Sequence, residues 1–281
     1  MKADRKQIST ARGVALVRAM EMTRPESERV SSDPYAQHFA NPLMVLATRI
    51  SVATGISRLI GVEPMINFAV AREQYVHDVI VREAQAGLDQ IVILGAGFDT
   101  RAYRIAGIAD IPVFEVDHPV TQSSKREALR GIVEPMPDNV RFVAVDFDID
   151  DLGDRLRAEG YSETGRTLFV WQGVTMYLTA EGVDRTLAFV AKHSRPGSAL
   201  VFDYFDIAEG GNAGIRFFTG AMGEAVTFGI RGPEIVAFLT SRGFAGVHNI
   251  DGPELKRLHL TGSNARRPMA GGVGIVSARV A

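Results

Sequence analysis

From residue 89 onward, short uninterrupted apolar runs alternate with helix-patterned stretches, and this alternation leaves the chain few folds to adopt. The runs IVIL (91–94) and LFVW (168–171) carry no polar residue at alternate positions. Such runs suit strands buried on both faces, as in a parallel sheet. Val113–Val116, Val140–Val145, Ala199–Tyr204, Ala245–Ile250 and Val273–Val280 read as further strands. Helical patterns fall between them at roughly 119–131, 151–159, 180–193 and 232–242. Strands alternating with helices predict a doubly wound α/β fold. The last two strands are joined by a segment poor in helix signal and rich in turn residues: Gly252-Pro253, Gly262, Asn264, Pro268 and Gly271-Gly272. An antiparallel edge is expected there.

Residues 1–88 have a different texture and read as a helical cap on a core of 89–281. Val14, Val17 and Met20/Met22 give Ala11–Met22 helical spacing. Ser32-Asp33-Pro34 is a helix-start signal. Pro64 fits the first turn of a helix running to about Ala86, with Gly87 as its C′ stop. That helix brings Phe68, Arg72, Tyr75 and Val79 near one face, and an arginine among apolar residues marks a candidate site residue. Glu209–Gly229 mixes glycine with phenylalanine, and reads either as a lid over a site or as an ordinary packed loop.

Composition narrows the function. With 31 basic and 33 acidic residues the net charge is -2, too small to predict a nucleic-acid or anionic-membrane surface. There is no cysteine, which removes disulfides, thiolate nucleophiles and thiolate metal sites. The longest charge-free runs, Pro34–Thr48 and Thr167–Ala180, fall short of the ~18 apolar residues a membrane span needs. No signal-type apolar stretch follows MKADRKQ. A cytoplasmic protein is expected, with no oligomeric state legible.

Three segments carry chemistry. Gly95-Ala96-Gly97 directly follows IVIL, and glycines at a strand-to-loop turn let a ligand approach the backbone. Asp117, at the end of the next strand, stands 20 residues after Gly97, where a carboxylate can grip a ribose diol. A turn glycine and a solvated aspartate fit the same letters. A dinucleotide fingerprint would have a third glycine, but position 100 is Thr, and Asp99 in the loop disfavours a diphosphate. S-adenosylmethionine fits better: it has ribose and adenine, no phosphate, and a positive sulfonium. The second segment, Val143–Phe147, ends a strand with Asp146, which can accept from an adenine amine, and Phe147, which can lie against the ring or donate through its backbone. A helix-capping aspartate is the alternative. The third, Leu168–Thr179, is a strand, a glycine turn and a helix start that would turn Gln172 to the cofactor; Trp171 and Tyr177 fit the core.

Together these stretches resemble the S-adenosylmethionine-dependent methyltransferases of the leucine carboxyl methyltransferase family, and most of all its bacterial branch, which includes polyketide-modifying O-methyltransferases. The matching pieces are ARGVALVRAMEMTRPE (11–26), SDPYAQHF (32–39), VAREQYVHD (70–78), VILGAGFDTRAYR (92–104), FEVDHP (114–119), VAVDFD (143–148) and WQGVTMYLT (171–179). The resemblance implies a seven-stranded, Rossmann-like class I methyltransferase sheet with an N-terminal helical cap. It puts Gly95, Asp117, Asp146 and Phe147 on cofactor-binding positions, and Arg72 on an arginine that approaches the methionine carboxylate. Gln172 stands where the family usually has glutamate, so it keeps a hydrogen bond to the methionine ammonium but not the charge. Gln172→Glu is accordingly expected to tighten cofactor binding. A lysine used by the eukaryotic members has no clear counterpart among Glu28–Asp33.

The implied reaction is S-adenosylmethionine-dependent O-methylation of a carboxylate or hydroxyl on a small molecule, in specialised metabolism, with S-adenosylhomocysteine as product. Tyr204, at the fifth strand tip, is the candidate catalytic residue, and Arg216 a candidate substrate contact; His118 reads as a base or a structural residue. No metal is expected, since the six histidines show no ligand spacing. The competing readings are an NAD(P)-dependent oxidoreductase on the same fold logic, and a catalytically degenerate module that binds S-adenosylmethionine.

Overall fold

Residues with branched or aromatic side chains dominate the strands, and in a sheet covered on both faces every position of such a run is buried. The computed structural model describes residues 2–146, 149–206 and 226–281, with side chains from Ala11 onward. Its sheet contains β1 (Gln90–Leu94), β2 (Val113–Asp117), β3 (Val140–Ala144), β4 (Thr167–Trp171), β5 (Ala199–Phe205), β6 (Phe244–Asp251) and β7 (Val273–Val280). The order is β3-β2-β1-β4-β5-β7-β6. The first five of these are parallel neighbours. β7 runs antiparallel to both β5 and β6. The antiparallel pairing expected at this end of the sheet is present, with β7 second from the margin and β6 outermost.

Alternate residues of each strand feed two cores. Ile91, Ile93, Leu168, Val170 and Val201 face α5 (Glu63–Gln85), which contributes Phe68, Val76, Val79 and Ile80. Val92, Leu94, Phe169, Trp171 and Phe202 face the opposite layer, α8 (Leu152–Ala158), α9 (Ala180–Lys192) and α10 (Ile235–Thr240), which supply Leu156, Val183, Leu187 and Leu239. Trp171 is a core residue. Strand order reverses between β1 and β4, so a crevice opens at their carboxyl ends, the ligand position in open α/β sheets.

The N-terminal helices form the cap, and the first of them reaches the loop after β1, where Arg18 donates to the Phe98 carbonyl. They are α1 (Lys2–Met22), α2 (Ala36–Phe39), α3 (Pro42–Ala53), α4 (Ile56–Leu59) and α5. Val17 and Met20 of α1 pack on Ile66, Ala69 and Val70 of α5. Ala15 and Phe39 pack on Phe98 of the glycine loop and on Leu129 of α7 (Pro119–Leu129). Asn41 caps α3 through Leu43 N–H, a helix the sequence reading passed over. Gly87 takes φ +85° after α5, as its C′ role requires. The reading also missed α11 (Gly252–His259): Asp251 accepts from Glu254 N–H at 2.8 Å and Pro253 occupies the first turn, so residues read as turn formers are a helix start. The expected lid, Glu209–Gly229, lies mostly outside the described residues, as does Arg216.

A buried ion pair ties the cap to the far end of the sheet. Both Glu21 oxygens accept from Arg267, at 2.9 and 3.0 Å, and Glu21 is 0% exposed. Arg267 Nε also donates to Asn67 Oδ1 of α5 at 2.8 Å. Arg267→Met would leave the Glu21 carboxylate buried and unpaired. Urea unfolding should show a loss of about 3–5 kcal/mol, most of it recovered in Glu21→Leu/Arg267→Met. An Arg267→Met protein as stable as wild type would show that this pair does not hold the cap.

Candidate functional site

The glycine loop begins where β1 ends. Gly95 has φ +67°, and a Cβ there would meet Val174 Cγ2 at 2.4 Å. Gly97 has φ +47°, with Ala11 of α1 3.3 Å from the place a Cβ would take. Both positions therefore require glycine. The N–H of Gly97 donates a short hydrogen bond to Asp117 Oδ2 at the tip of β2, and His118 N–H donates to Oδ1 at 2.7 Å. Burial pushes the Asp117 carboxyl above its ordinary range, against the pull of these two N–H groups. Asp146 follows β3, with its backbone N–H on Asp150 Oδ2 at 2.9 Å and its carboxylate 3.8 Å from His118 Nε2. His118 Nδ1 accepts from Val120 N–H at 3.3 Å, so this histidine caps α7. Phe147 lies outside the described residues.

The other tips are pinned from α5. Arg72 is buried and forms a short ion pair with Asp203 of β5. The other Asp203 oxygen accepts from Gly173 N–H at 2.6 Å, just after β4. Gly173 takes φ +72°, and its missing Cβ would lie 3.7 Å from the Arg72 guanidinium. Arg72 stacks over Phe68, 5.5 Å from the ring centroid, and its Nε is buried without a partner among the described residues.

Glu73, the next residue of α5, reaches Gln172. Its Oε2 lies 2.5 Å from Arg101 Nη2 and accepts from Gln172 Nε2 at 3.2 Å. Its Oε1 accepts from Arg104 Nη2 at 2.7 Å. Gln172 Oε1 in turn accepts from Arg101 Nη2 at 2.6 Å, and Arg101, which starts α6 (Arg101–Arg104), also pairs with Asp99. Arg18 of α1 bonds Asp33 and the Phe98 carbonyl beside this group. Arg18, Arg72, Arg101 and Arg104 thus oppose Asp33, Glu73, Asp99 and Asp203, with no excess charge within the set. Burial alone would raise Glu73, yet the guanidiniums of Arg101, Arg18 and Arg104 and the Gln172 amide hold it down at about 2.

The sequence-predicted residues therefore meet unevenly. Gly95, Gly97 and Asp117 form one joined unit, with Asp146 beside His118. Arg72 and Gln172 stand on adjacent arms of the ion network. Tyr204 is a correction. It lies on the opposite face of β5 from Asp203, 2% exposed, with its hydroxyl on Asn249 Oδ1 at 2.8 Å and its ring against Gly274. Burial pushes its phenol up to about 12. Glu73, Arg101 and Asp203 were missed as site residues. The available signal was an aspartate inside the otherwise apolar run ALVFDYF.

The network makes the fold acid-sensitive with a definite sign. Glu73 has a folded pKa below its ordinary 4.5, so it adds stability above about 4.5, and this is lost as pH falls through about 2. The gap in unfolding free energy between wild type and Glu73→Gln should be largest near neutrality and shrink as pH drops through that window. A gap that widened on acidification would mean the carboxylate is held unfavourably charged.

The leucine carboxyl methyltransferase family model matches residues 11–191, well over half of the 281-residue chain. A Mycolicibacterium smegmatis protein, provisionally named an S-adenosyl-L-methionine-dependent methyltransferase, is 32% identical over 227 residues, covering 78% of this chain and 74% of its own. A Bacillus subtilis protein with the same provisional description is 38% identical over 138 residues, 49% of this chain and 45% of its own. Among solved structures, the DszA carbon methyltransferase aligns over 98% of this chain and 88% of its own, with TM-score 0.53 and 10% identity. A provisionally named O-methyltransferase from Nostoc punctiforme aligns over 76% of this chain and 60% of its own, with TM-score 0.50 and 10% identity. These two likenesses speak to the fold alone. The family match spans the cap helices, the glycine loop and the first four strand tips described above, and on that ground the chain belongs to the leucine carboxyl methyltransferase family of S-adenosylmethionine-dependent methyltransferases.

Proposed function

We propose that this enzyme methylates the carboxylate of a small molecule, drawing the methyl group from S-adenosylmethionine held across the tips of β1 to β4. The donor set suits that cofactor. Asp117 spends one lone pair on each backbone N–H, and an ionised carboxylate offers about four such sites, so both its oxygens can still accept from ribose hydroxyls. Arg72 Nε is buried and unpartnered among the described residues, the kind of donor a methionine carboxylate would satisfy. Gly95 and Gly97 let Val174 and Ala11 pack directly on the loop that turns the chain beside Asp117, and a carboxylate such as Asp146, just beyond β3, is a group that could accept from an adenine amine. At the third position of a dinucleotide fingerprint stands Thr100, fully buried, with its Oγ1 accepting from Arg104 Nε. That arrangement favours S-adenosylmethionine over the nicotinamide reading.

The bound cofactor supplies an electrophilic methyl carbon on a sulfonium. The task left to the chain is to align the acceptor and keep water out. The observation that carries the choice of acceptor is the pairing of the clustered acids. Glu73, Asp99 and Asp203 each face a guanidinium, which makes them poor general bases. A hydroxyl acceptor would need such a base. A carboxylate acceptor is already ionised at neutral pH and needs none.

The cofactor assignment and the acceptor assignment are separately testable. Asp117→Ala should weaken S-adenosylhomocysteine binding in calorimetry by about 1.5–3 kcal/mol, the range for hydrogen bonds to a charged group. Unchanged affinity would remove Asp117 from the ribose site. Turnover with radiolabelled S-adenosylmethionine should yield methyl esters from a panel of small carboxylic acids, with a rate flat in pH above the acid's own pKa. Methylation of phenols alone, rising with phenol ionisation, would replace the carboxylate reading with a hydroxyl one.

A further inference from the structure

Two consecutive residues of α5 grip two neighbouring strand tips. Arg72 takes Asp203 and, through it, the N–H of Gly173, while Glu73 takes Gln172. An α-amino acid carries its ammonium on the carbon next to its carboxylate. If Arg72 receives the carboxylate of the cofactor's methionine end, the ammonium falls beside the tip of β4. The side chain available there is Gln172, a neutral amide.

That amide is held at both ends. Its oxygen faces a cation, Arg101, and its nitrogen faces an anion, Glu73. The opposite flip would set the oxygen against Glu73 and the NH₂ against Arg101, so the pair of ions allows one orientation. The oxygen retains a second lone pair. Glu73 is almost wholly buried and touches Gln172, Arg101 and Arg104, so any effect it has on a ligand passes through those groups. A glutamate at 172 would bring a second carboxylate to within about 3 Å of Glu73, sharing an Arg101 that already neutralises Asp99. The structure thus adds to the tighter cofactor binding expected for Gln172→Glu a cost in stability of the ligand-free protein.

We propose that Glu73 is a positioning residue for the amino-acid end of the cofactor: it fixes the Gln172 amide and supplies from the cap helix the negative charge that the tip of β4 lacks. The proposal rests on the cofactor reading above.

Three variants test it: Glu73→Gln, Gln172→Glu, and the double variant, which moves the charge from helix to strand tip. Calorimetry is run with S-adenosylhomocysteine and with adenosine, which has no amino-acid end, and melting is recorded without ligand. Glu73→Gln should lose about tenfold in affinity for S-adenosylhomocysteine, roughly the effect of one hydrogen bond from an amide no longer held in a single orientation, with little change for adenosine. Gln172→Glu should melt several degrees below wild type. The double variant should recover both the melting temperature and the S-adenosylhomocysteine affinity. Equal losses for both ligands in Glu73→Gln, or none, would overturn the proposal by reducing Glu73 to a structural ion. So would a Gln172→Glu protein as stable as wild type, or a double variant no better than the weaker single. If Gln172→Glu does not fold, folding of the double variant supports the charge relocation and its failure overturns it. A wild-type protein that binds neither ligand would defeat the cofactor reading, while the ligand-free melting of the four proteins would still test the clamp.

Discussion

A run of buried ion pairs joins α5 to the open edge of the sheet, and the rest of the site is arranged around it. Taking a carboxylate and a guanidinium out of water costs several kcal/mol per ion unless nearly every donor and acceptor finds a partner. Here most do. Glu73 accepts from three groups, Asp203 from the Arg72 guanidinium and a backbone N–H, and Asp99 from the side chain and backbone of Arg101. Partners drawn from a cap helix, the glycine loop and two strand tips must all arrive together. The crevice at the β1–β4 reversal is therefore built with its polar groups already oriented, which removes that ordering cost from ligand binding.

The same pairing sets the chemistry this edge can support. Acids locked to guanidiniums are weak bases, and guanidiniums locked to acids attract a further anion less strongly than free ones would. Asp117 and Asp146 stand apart from these acids, at the ends of β2 and β3. In the proposed reading these take the nucleoside of the cofactor, while the network shapes the end that carries the methionine. Methyl transfer to an ionised acceptor asks for alignment and dryness more than for proton transfer, and a rigid neutral edge under a helical cap suits that demand.

Much of this was legible in the sequence because it rests on local pattern. β1 and β4 declare themselves as continuous apolar runs, and α5 by its Pro64 start and Gly87 stop. Gly95, Gly97 and Asp117 followed from a strand end, a turn and a spacing. Other features were ambiguous locally. Asp251-Gly252-Pro253 serves a turn or a helix start equally well, and here it starts α11. Tyr204 was misjudged because β5 is buried along its whole length, so no alternation of polar and apolar residues shows which neighbour faces the crevice.

The sequence by itself determined the alternating strands and helices, the glycines that only a positive φ explains, the carboxylates at strand ends, and the motifs that place the chain in its family. Those depend on neighbours within a few residues of one another. Tertiary structure decided which charge meets which: Arg72 with Asp203 across 131 positions, Glu73 with Gln172 across 99. No spacing rule links residues so far apart. Their meeting depends on the strand order, the packing of α5 on the sheet and the need to neutralise buried ions, and a folded chain satisfies these three conditions only together.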